Sequence, residues 1–131
     1  MKNFISKIAL VLVLSVNFIS CAQSTKTDVV SLISPEELNS KTNAIQLVDV
    51  RTPQEYNDGH LKNAENINFY DTNFLDQMSK LDKKKDLYLY CRSGNRSGKA
   101  AKKLEKMGFT KVYDLEGGII NWNKKSLEVI K

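Results

Sequence analysis

The chain has 131 residues, 41% of them hydrophobic, which suits one domain. Its formal charge of +5 falls to +3, from 18 basic and 15 acidic residues, when counting starts at Cys21. Lys83-Lys84-Lys85 and Lys102-Lys103 lack interleaved aromatics or zinc ligands, so they read as solvated surface and exclude a nucleic-acid partner.

At the N-terminus, Lys2 and Lys7 precede an apolar run from Ile8 to Ile19 that contains Ser15 and Asn17. Its 12 residues fall short of the roughly 20 needed to span a bilayer and match a secretory h-region, so residues 1–20 read as a signal peptide. Phe18-Ile19-Ser20-Cys21 resembles the lipobox of bacterial lipoproteins, with Phe18 where leucine is preferred. The resemblance implies that Cys21 is the first mature residue and carries a lipid anchor on the periplasmic side of a bacterial membrane. Residues 21–27 then form a polar tether and 28–131 the folded domain. Cleavage after Ala22, giving a soluble periplasmic protein, is the competing reading, because Ser20 and Ala22 also satisfy a general cleavage pattern. With Cys21 lipidated, Cys91 is the only free thiol of the mature chain and no intramolecular disulfide can form.

Val29 to Leu32 reads as a short strand, and Ser34-Pro35-Glu36-Glu37 as the cap, first-position proline and acidic first turn of a short helix. Ile45 to Val50 is an apolar run buried on both faces, as in a parallel sheet, and Thr52-Pro53-Gln54-Glu55 is a capping box whose helix stops at Gly59. Ala64 to Ile67 is a weak strand. Phe74, Leu75, Met78 and Leu81 fall on one helix face, Leu87 to Tyr90 is a buried strand, and Ala100, Ala101, Leu104 and Met107 mark a helix stopped by Gly108. Val112 to Leu115 is the last strand, and Glu116-Gly117-Gly118 turns into a helical segment bearing Ile119 and Trp122. Strands alternating with helices predict a single α/β domain with a mainly parallel central sheet flanked by helices. Ligands of such sheets bind at the carboxyl ends of the strands, where Asp49, Arg51 and Cys91 all fall.

The most informative segment is Cys91-Arg92-Ser93-Gly94-Asn95-Arg96-Ser97, set between a buried strand and a helix start. The first N–H groups of a helix lack intrahelical partners and, with the helix dipole, favour an anion, so a cysteine there is expected to ionise readily. Gly94 permits a tight turn and Asn95 tolerates a left-handed conformation, so the amides of residues 92 to 96 can converge as an anion nest. Arg92 and Arg96 add positive charge that favours the thiolate and attracts anions. A buried structural thiol needs none of these neighbours.

Four motifs in sequence order carry a resemblance to a single-domain rhodanese over about Val29 to Trp122. They are Leu47-Val48-Asp49-Val50-Arg51 with Glu55, Gly59-His60-Leu61 with Ala64 and Asn66-Ile67, the loop Cys91 to Ser97, and Glu116-Gly117-Gly118-Ile119 with Trp122. Lys62-Asn63 stand where the family usually has Pro-Gly. The resemblance implies a thiosulfate-type sulfurtransferase in which Cys91 takes a sulfane sulfur from a donor, becomes a persulfide and passes the sulfur to a thiol or cyanide-like acceptor. A small anionic donor such as thiosulfate fits Arg92 and Lys99. Arg96 is expected to orient the loop by pairing with Asp49 or Glu55, while Arg51 with Glu55 is expected as a structural ion pair beneath it.

Loop length separates this chemistry from that of cysteine-dependent phosphatases, which place five residues between cysteine and arginine to cradle a tetrahedral phosphate. Only four residues separate Cys91 from Arg96, and no well-placed acidic loop supplies a general acid. Phosphatase or arsenate reductase is therefore the rival enzyme class, and a persulfide carrier or sensor without turnover the rival non-enzyme. His60 is the only histidine, so a histidine-rich metal site is excluded, and no metal or cofactor is expected. His60 is expected to hydrogen-bond a loop carbonyl, Trp122 to pack beside the site with its ring walling the pocket, and the protein to be a monomer.

Overall fold

The computed structural model describes residues 27–41 and 44–131. The expected signal peptide at 1–20, Cys21 and the expected tether up to residue 26 lie outside the described residues.

Among the described residues, five strands and five helices alternate: β1 (Val30–Ile33), α1 (Pro35–Ser40), β2 (Gln46–Asp49), α2 (Pro53–Asp58), β3 (Glu65–Asn66), α3 (Phe74–Ser79), β4 (Leu87–Tyr90), α4 (Asn95–Lys106), β5 (Val112–Leu115) and α5 (Gly118–Lys124). All strand pairings are parallel, in the order β1-β5-β4-β2-β3, so the expected parallel α/β domain is the fold observed. β4 lies centrally and is buried along its whole length, which explains why its sequence reads as an unbroken apolar run.

Local signals account for the helix starts. Ser34 accepts the Glu37 N–H, and Thr52 and Glu55 form the reciprocal capping box, each helix with a proline in its first turn where no N–H is needed. One expectation fails at α3. Phe74 and Met78 are buried, but Leu75 is 41% exposed and Leu81 lies past the helix end. A six-residue helix makes fewer than two turns, so its buried stripe holds only one i, i+4 pair.

Side-chain alternation splits the core between the two sheet faces. Val48, Val50, Leu89, Cys91 and Val112 pack with Phe74 and Met78 of α3 and with Ala100, Ala101 and Leu104 of α4. On the other face Leu47, Tyr88, Tyr90 and Leu115 pack with Leu38 of α1 and with Ile119 and Trp122 of α5. At Lys62-Asn63 the chain still turns tightly: the Ala64 N–H donates to the Leu61 carbonyl, and Asn63 takes φ of 64°. Asparagine is among the few residues that adopt this left-handed region readily, so the turn survives without Pro-Gly.

Candidate active site

Cys91 follows the last residue of β4, on the face covered by α4, and the chain then curls so that α4 begins only four residues later. The curl requires Gly94, whose φ of 104° no L side chain adopts without strain. Asn95 is the first residue of α4, so Gly94 alone supplies the left-handed step and Asn95 does not share it.

This geometry aims donors at the sulfur. The Gly94 N–H lies 3.1 Å from Cys91 Sγ, and the Ser97 hydroxyl donates to it from 3.4 Å. Burial pushes the thiol up, but hydrogen bonds from the Ser97 hydroxyl and from the Ser97, Gly94 and Ser93 backbone N–H groups outweigh it, so the thiol ionises below the ordinary cysteine value. The donor set therefore extends one residue past the expected 92–96 span, into the first turn of α4. Arg92 and Lys99 are exposed around this cradle.

Two acidic side chains brace the surroundings: Glu55 takes Arg96, one of the two pairings expected for that arginine, whereas the expected Arg51–Glu55 pair is not formed. Arg51 pairs with Asp49, not with Glu55: its Nε and Nη2 reach the carboxylate at 3.0 and 2.6 Å, and Nη2 also donates to the Gly59 carbonyl at 2.7 Å. Asp49 and Arg51 sit two residues apart on one strand end, where alternation gives both side chains the same face, and the Arg51 N–H also donates to Asp49. Tyr90, opposite Asp49 on β4, joins them; its ring stacks under the Arg51 guanidinium and its hydroxyl accepts the Leu61 N–H. Burial, with Asp49 beside it, pushes the Tyr90 phenol up, so it stays neutral.

Glu55 instead holds Arg96. Two parallel bonds of 2.7 Å join the guanidinium to the carboxylate, tying the first turn of α4 to α2. Glu55 Oε2 also accepts from the Thr52 N–H and hydroxyl at 3.0 Å. Arg96 first, and Thr52 with it, hold the Glu55 carboxyl down at about 2, against burial. The Arg96 guanidinium also covers the exposed Tyr70 ring, 5.6 Å from its centre.

Behind the loop, the Glu116-Gly117-Gly118 turn presses backbone to backbone. The Ile119 and Ile120 N–H groups donate to the Cys91 and Arg92 carbonyls at 3.0 and 3.1 Å. A Cβ on Gly118 would lie 2.5 Å from the Arg92 carbonyl oxygen and 2.6 Å from that of Cys91. The second glycine of the pair is thus required by close approach, a role that composition alone does not reveal.

His60 Nδ1 lies 3.0 Å from the Tyr56 carbonyl and its ring stacks on Tyr56, so its partner is a backbone carbonyl as expected, but one in the last turn of α2 and not in a loop. Trp122 is buried, but it walls a separate cavity of about 150 Å³ with Leu38, Leu47 and Leu61, not the Cys91 cradle. Arg51, Glu55, Gly59, Ile119 and Asn123 line a second cavity of about 400 Å³, to which none of residues 91–97 contributes. Among the described residues, no group of three or more His, Cys, Asp or Glu side chains could hold a metal ion.

A parallel α/β domain that presents a thiolate-favouring cysteine at a helix N-terminus, in a six-residue loop closed by an arginine, defines a class of cysteine-loop proteins. The rhodanese-like domain family matches residues 34–125, and the chain belongs to that family. It is 35% identical over 104 residues to a protein of Allochromatium vinosum named a sulfurtransferase, covering 77% of this chain and 95% of that one. It is also 42% identical over 84 residues to a tRNA uridine(34) hydroxylase of Aster yellows witches'-broom phytoplasma, which covers 61% of this chain but only 27% of the hydroxylase. Among solved structures it resembles the crystal structure of a rhodanese-related protein from Thermoplasma volcanium, with a TM-score of 0.68, 30% identity, and coverage of 75% of this chain and 95% of that one.

Proposed function

We propose that the protein is a sulfurtransferase that moves a sulfane sulfur from thiosulfate, or a similar small anion, through a persulfide on Cys91. The observation that carries the reading is the set of donors converging on the buried Cys91 Sγ, which favour an anionic sulfur there. Membership of the rhodanese-like family and the sulfurtransferase name of the Allochromatium relative support it. Only the domain-sized portion of the tRNA hydroxylase corresponds to this chain, so the hydroxylase reaction is not carried over.

In the reaction, the Cys91 thiolate attacks the outer sulfur of thiosulfate. A Cys91–sulfur bond forms, the sulfur–sulfur bond of the donor breaks, and sulfite leaves with the electron pair. The terminal sulfur of the persulfide then carries the negative charge, within reach of the amides at the head of α4. A cyanide or thiolate acceptor attacks that terminal sulfur, and the Cys91 thiolate is released as leaving group. Arg96, locked by Glu55, holds the loop's curvature; Arg51 and Asp49 hold the strand ends beside it.

Intact mass after thiosulfate treatment tests the reading. A one-sulfur increase reversed by thiol is expected on the wild type and absent from Cys91→Ser; no increase on the wild type defeats it. Sustained thiocyanate production from thiosulfate and cyanide distinguishes an enzyme from a carrier, which transfers once and stops. Hydrolysis of an aryl phosphate lost in Cys91→Ser would favour the phosphatase class instead. The lipid anchor at Cys21 and a periplasmic location form part of the proposal, and radiolabelled palmitate that fails to label the protein removes them.

A further inference from the structure

We propose that Tyr70 is a positioning residue for Cys91: its ring keeps the Arg96 guanidinium on Glu55, and that clamp fixes the first turn of α4 beside the sulfur. The inference rests on the reading of Cys91 as the reacting thiolate.

Tyr70 lies in the connection between β3 and α3 and is 66% exposed. A lone exposed ring is ordinary on a protein surface, so exposure by itself means nothing. What sets this ring apart is how it is held and what stands over it. The Tyr70 N–H donates to Asn68 Oδ1 at 3.1 Å, the Asn68 side-chain amide donates to Asp71 at 3.1 Å, and the Phe69 N–H donates to the Val50 carbonyl at 2.9 Å. An ordered turn, tied to the end of β2, therefore carries the ring.

Arg96 Cζ stands 5.6 Å from the Tyr70 ring centre, inside the roughly 6 Å over which the negative face of an aromatic ring attracts a cation. Lys103, about two turns further along α4, stands 5.2 Å from the centre of the Phe69 ring, and Phe69 packs edge-on against both Tyr70 and Phe74. Two consecutive aromatics thus meet two cations of α4. The turn is zipped to the helix that begins at the cysteine loop.

Arg96 needs this second contact. Its side chain and that of Glu55 are 16% and 29% exposed, so water and salt compete for the pair. The carboxylate engages the edge of the guanidinium through two bonds of 2.7 Å, whereas the ring covers a face, excludes water from that side and restricts the plane in which the bonds form. The consequence reaches the sulfur across one peptide bond. Ser97 follows Arg96, and its hydroxyl donates to Cys91 Sγ from 3.4 Å, with the Gly94 N–H at 3.1 Å. The Arg96 charge and a Cys91 thiolate also favour one another. Without the ring, the guanidinium is freer to exchange Glu55 for water, and the head of α4 loses its tie.

The test compares Tyr70→Phe, Tyr70→Trp, Tyr70→Leu and Tyr70→Ala with the wild type. Because the ring is exposed, all four should fold, and a urea midpoint near that of the wild type checks it. Two readouts are taken: the pH midpoint of Cys91 alkylation by iodoacetamide, and the rate of persulfide formation from thiosulfate, followed by intact mass. Phenylalanine and tryptophan keep a ring face, so both readouts should stay near the wild type. Leucine and alanine lack one, so the midpoint should rise by about 0.3–0.5 unit and persulfide formation should slow about threefold. Leucine supplies apolar bulk without a ring face, so a residue that merely fills space would let leucine match phenylalanine. That outcome overturns the proposal.

The same comparison in the Arg96→Gln background locates the effect. Tyr70→Leu should change nothing further there, and an undiminished effect without Arg96 also overturns the proposal. The expected ordering in the alkylation midpoints without any persulfide would sink the sulfur-transfer reading alone. Persulfide formation with leucine indistinguishable from phenylalanine would sink this inference alone.

Discussion

The Cys91 loop is held from two sides by unlike means. Behind it, backbone meets backbone: the Gly118 turn lies against the Cys91 and Arg92 carbonyls, and the buried Asp49–Arg51 pair fixes the neighbouring strand end. In front, a single bidentate ion pair between Arg96 and Glu55 ties α4 to α2, with side chains 16% and 29% exposed. The rear contacts are dry and rigid, so they set where the sulfur stands. The front contact is partly wet and titratable, so solvent and pH can tune it.

The largest expected effect comes from breaking the rear. Gly118→Ala places a methyl within 2.6 Å of two carbonyl groups that belong to the loop backbone and have no rotamer by which to move aside. The residue's φ of 60° adds strain for any L side chain. Left-handed strain and overpacking together should cost about 3–5 kcal/mol, measured by urea unfolding, with persulfide formation reduced along with stability. A substitution costing less than about 1 kcal/mol would show that the loop yields, and that the rear is no more rigid than the front.

Next comes the buried pair. Arg51→Ala strands the Asp49 carboxylate and the Gly59 carbonyl away from water, for a loss of about 3–5 kcal/mol. Asp49→Ala with Arg51→Met removes both charges and should cost clearly less than the single arginine change. If the double variant is instead the less stable one, by denaturant midpoint, the attraction within the pair outweighs its desolvation.

Much of this was legible before any coordinates. The strand and helix order followed from apolar runs, two proline-bearing caps and the glycine stops, because local propensity and tertiary fold agree there. The curl at Gly94 and the placing of Cys91 at a helix start were legible too, since both follow from residue types at fixed spacing. Pairing was harder. Arg51 was assigned to Glu55 and found on Asp49, because sequence spacing does not say which carboxylate a long guanidinium reaches across a strand end. Gly118 and Asp114 carried weak signals: a doubled glycine, and an acid inside an otherwise apolar strand. Their meaning depends on what lies opposite in space, namely the Arg92 carbonyl for one and the first turn of α4 at Gly98 for the other. Trp122 shows the same limit, since its burial was expected but the cavity it walls was not.

The smallest effect sharpens the contrast through pH. The Glu55 carboxyl lies at about 2 in the folded chain against an ordinary 4.5, so its ion pair stabilises fully above 4.5 and the contribution is lost as pH falls through about 2. Because both partners are partly exposed, solvent screening limits the contribution to about 1 kcal/mol. Asp114 has the opposite sign: its carboxyl is raised from 3.8 to about 6, so its contribution is present below 3.8 and is lost as pH rises through about 6. Glu55→Gln should therefore be less stable than the wild type by about 1 kcal/mol at neutral pH, and the gap should close as pH drops from 4.5 toward 2. Asp114→Asn should do the reverse, gaining on the wild type as pH rises from 4 to 6. Urea midpoints across this range, taken as differences from the wild type so that the remaining carboxylates cancel, measure both. A Glu55→Gln gap that stays constant with pH would mean that the front pair contributes through packing alone, and the distinction between a rigid rear and a titratable front would fall with it.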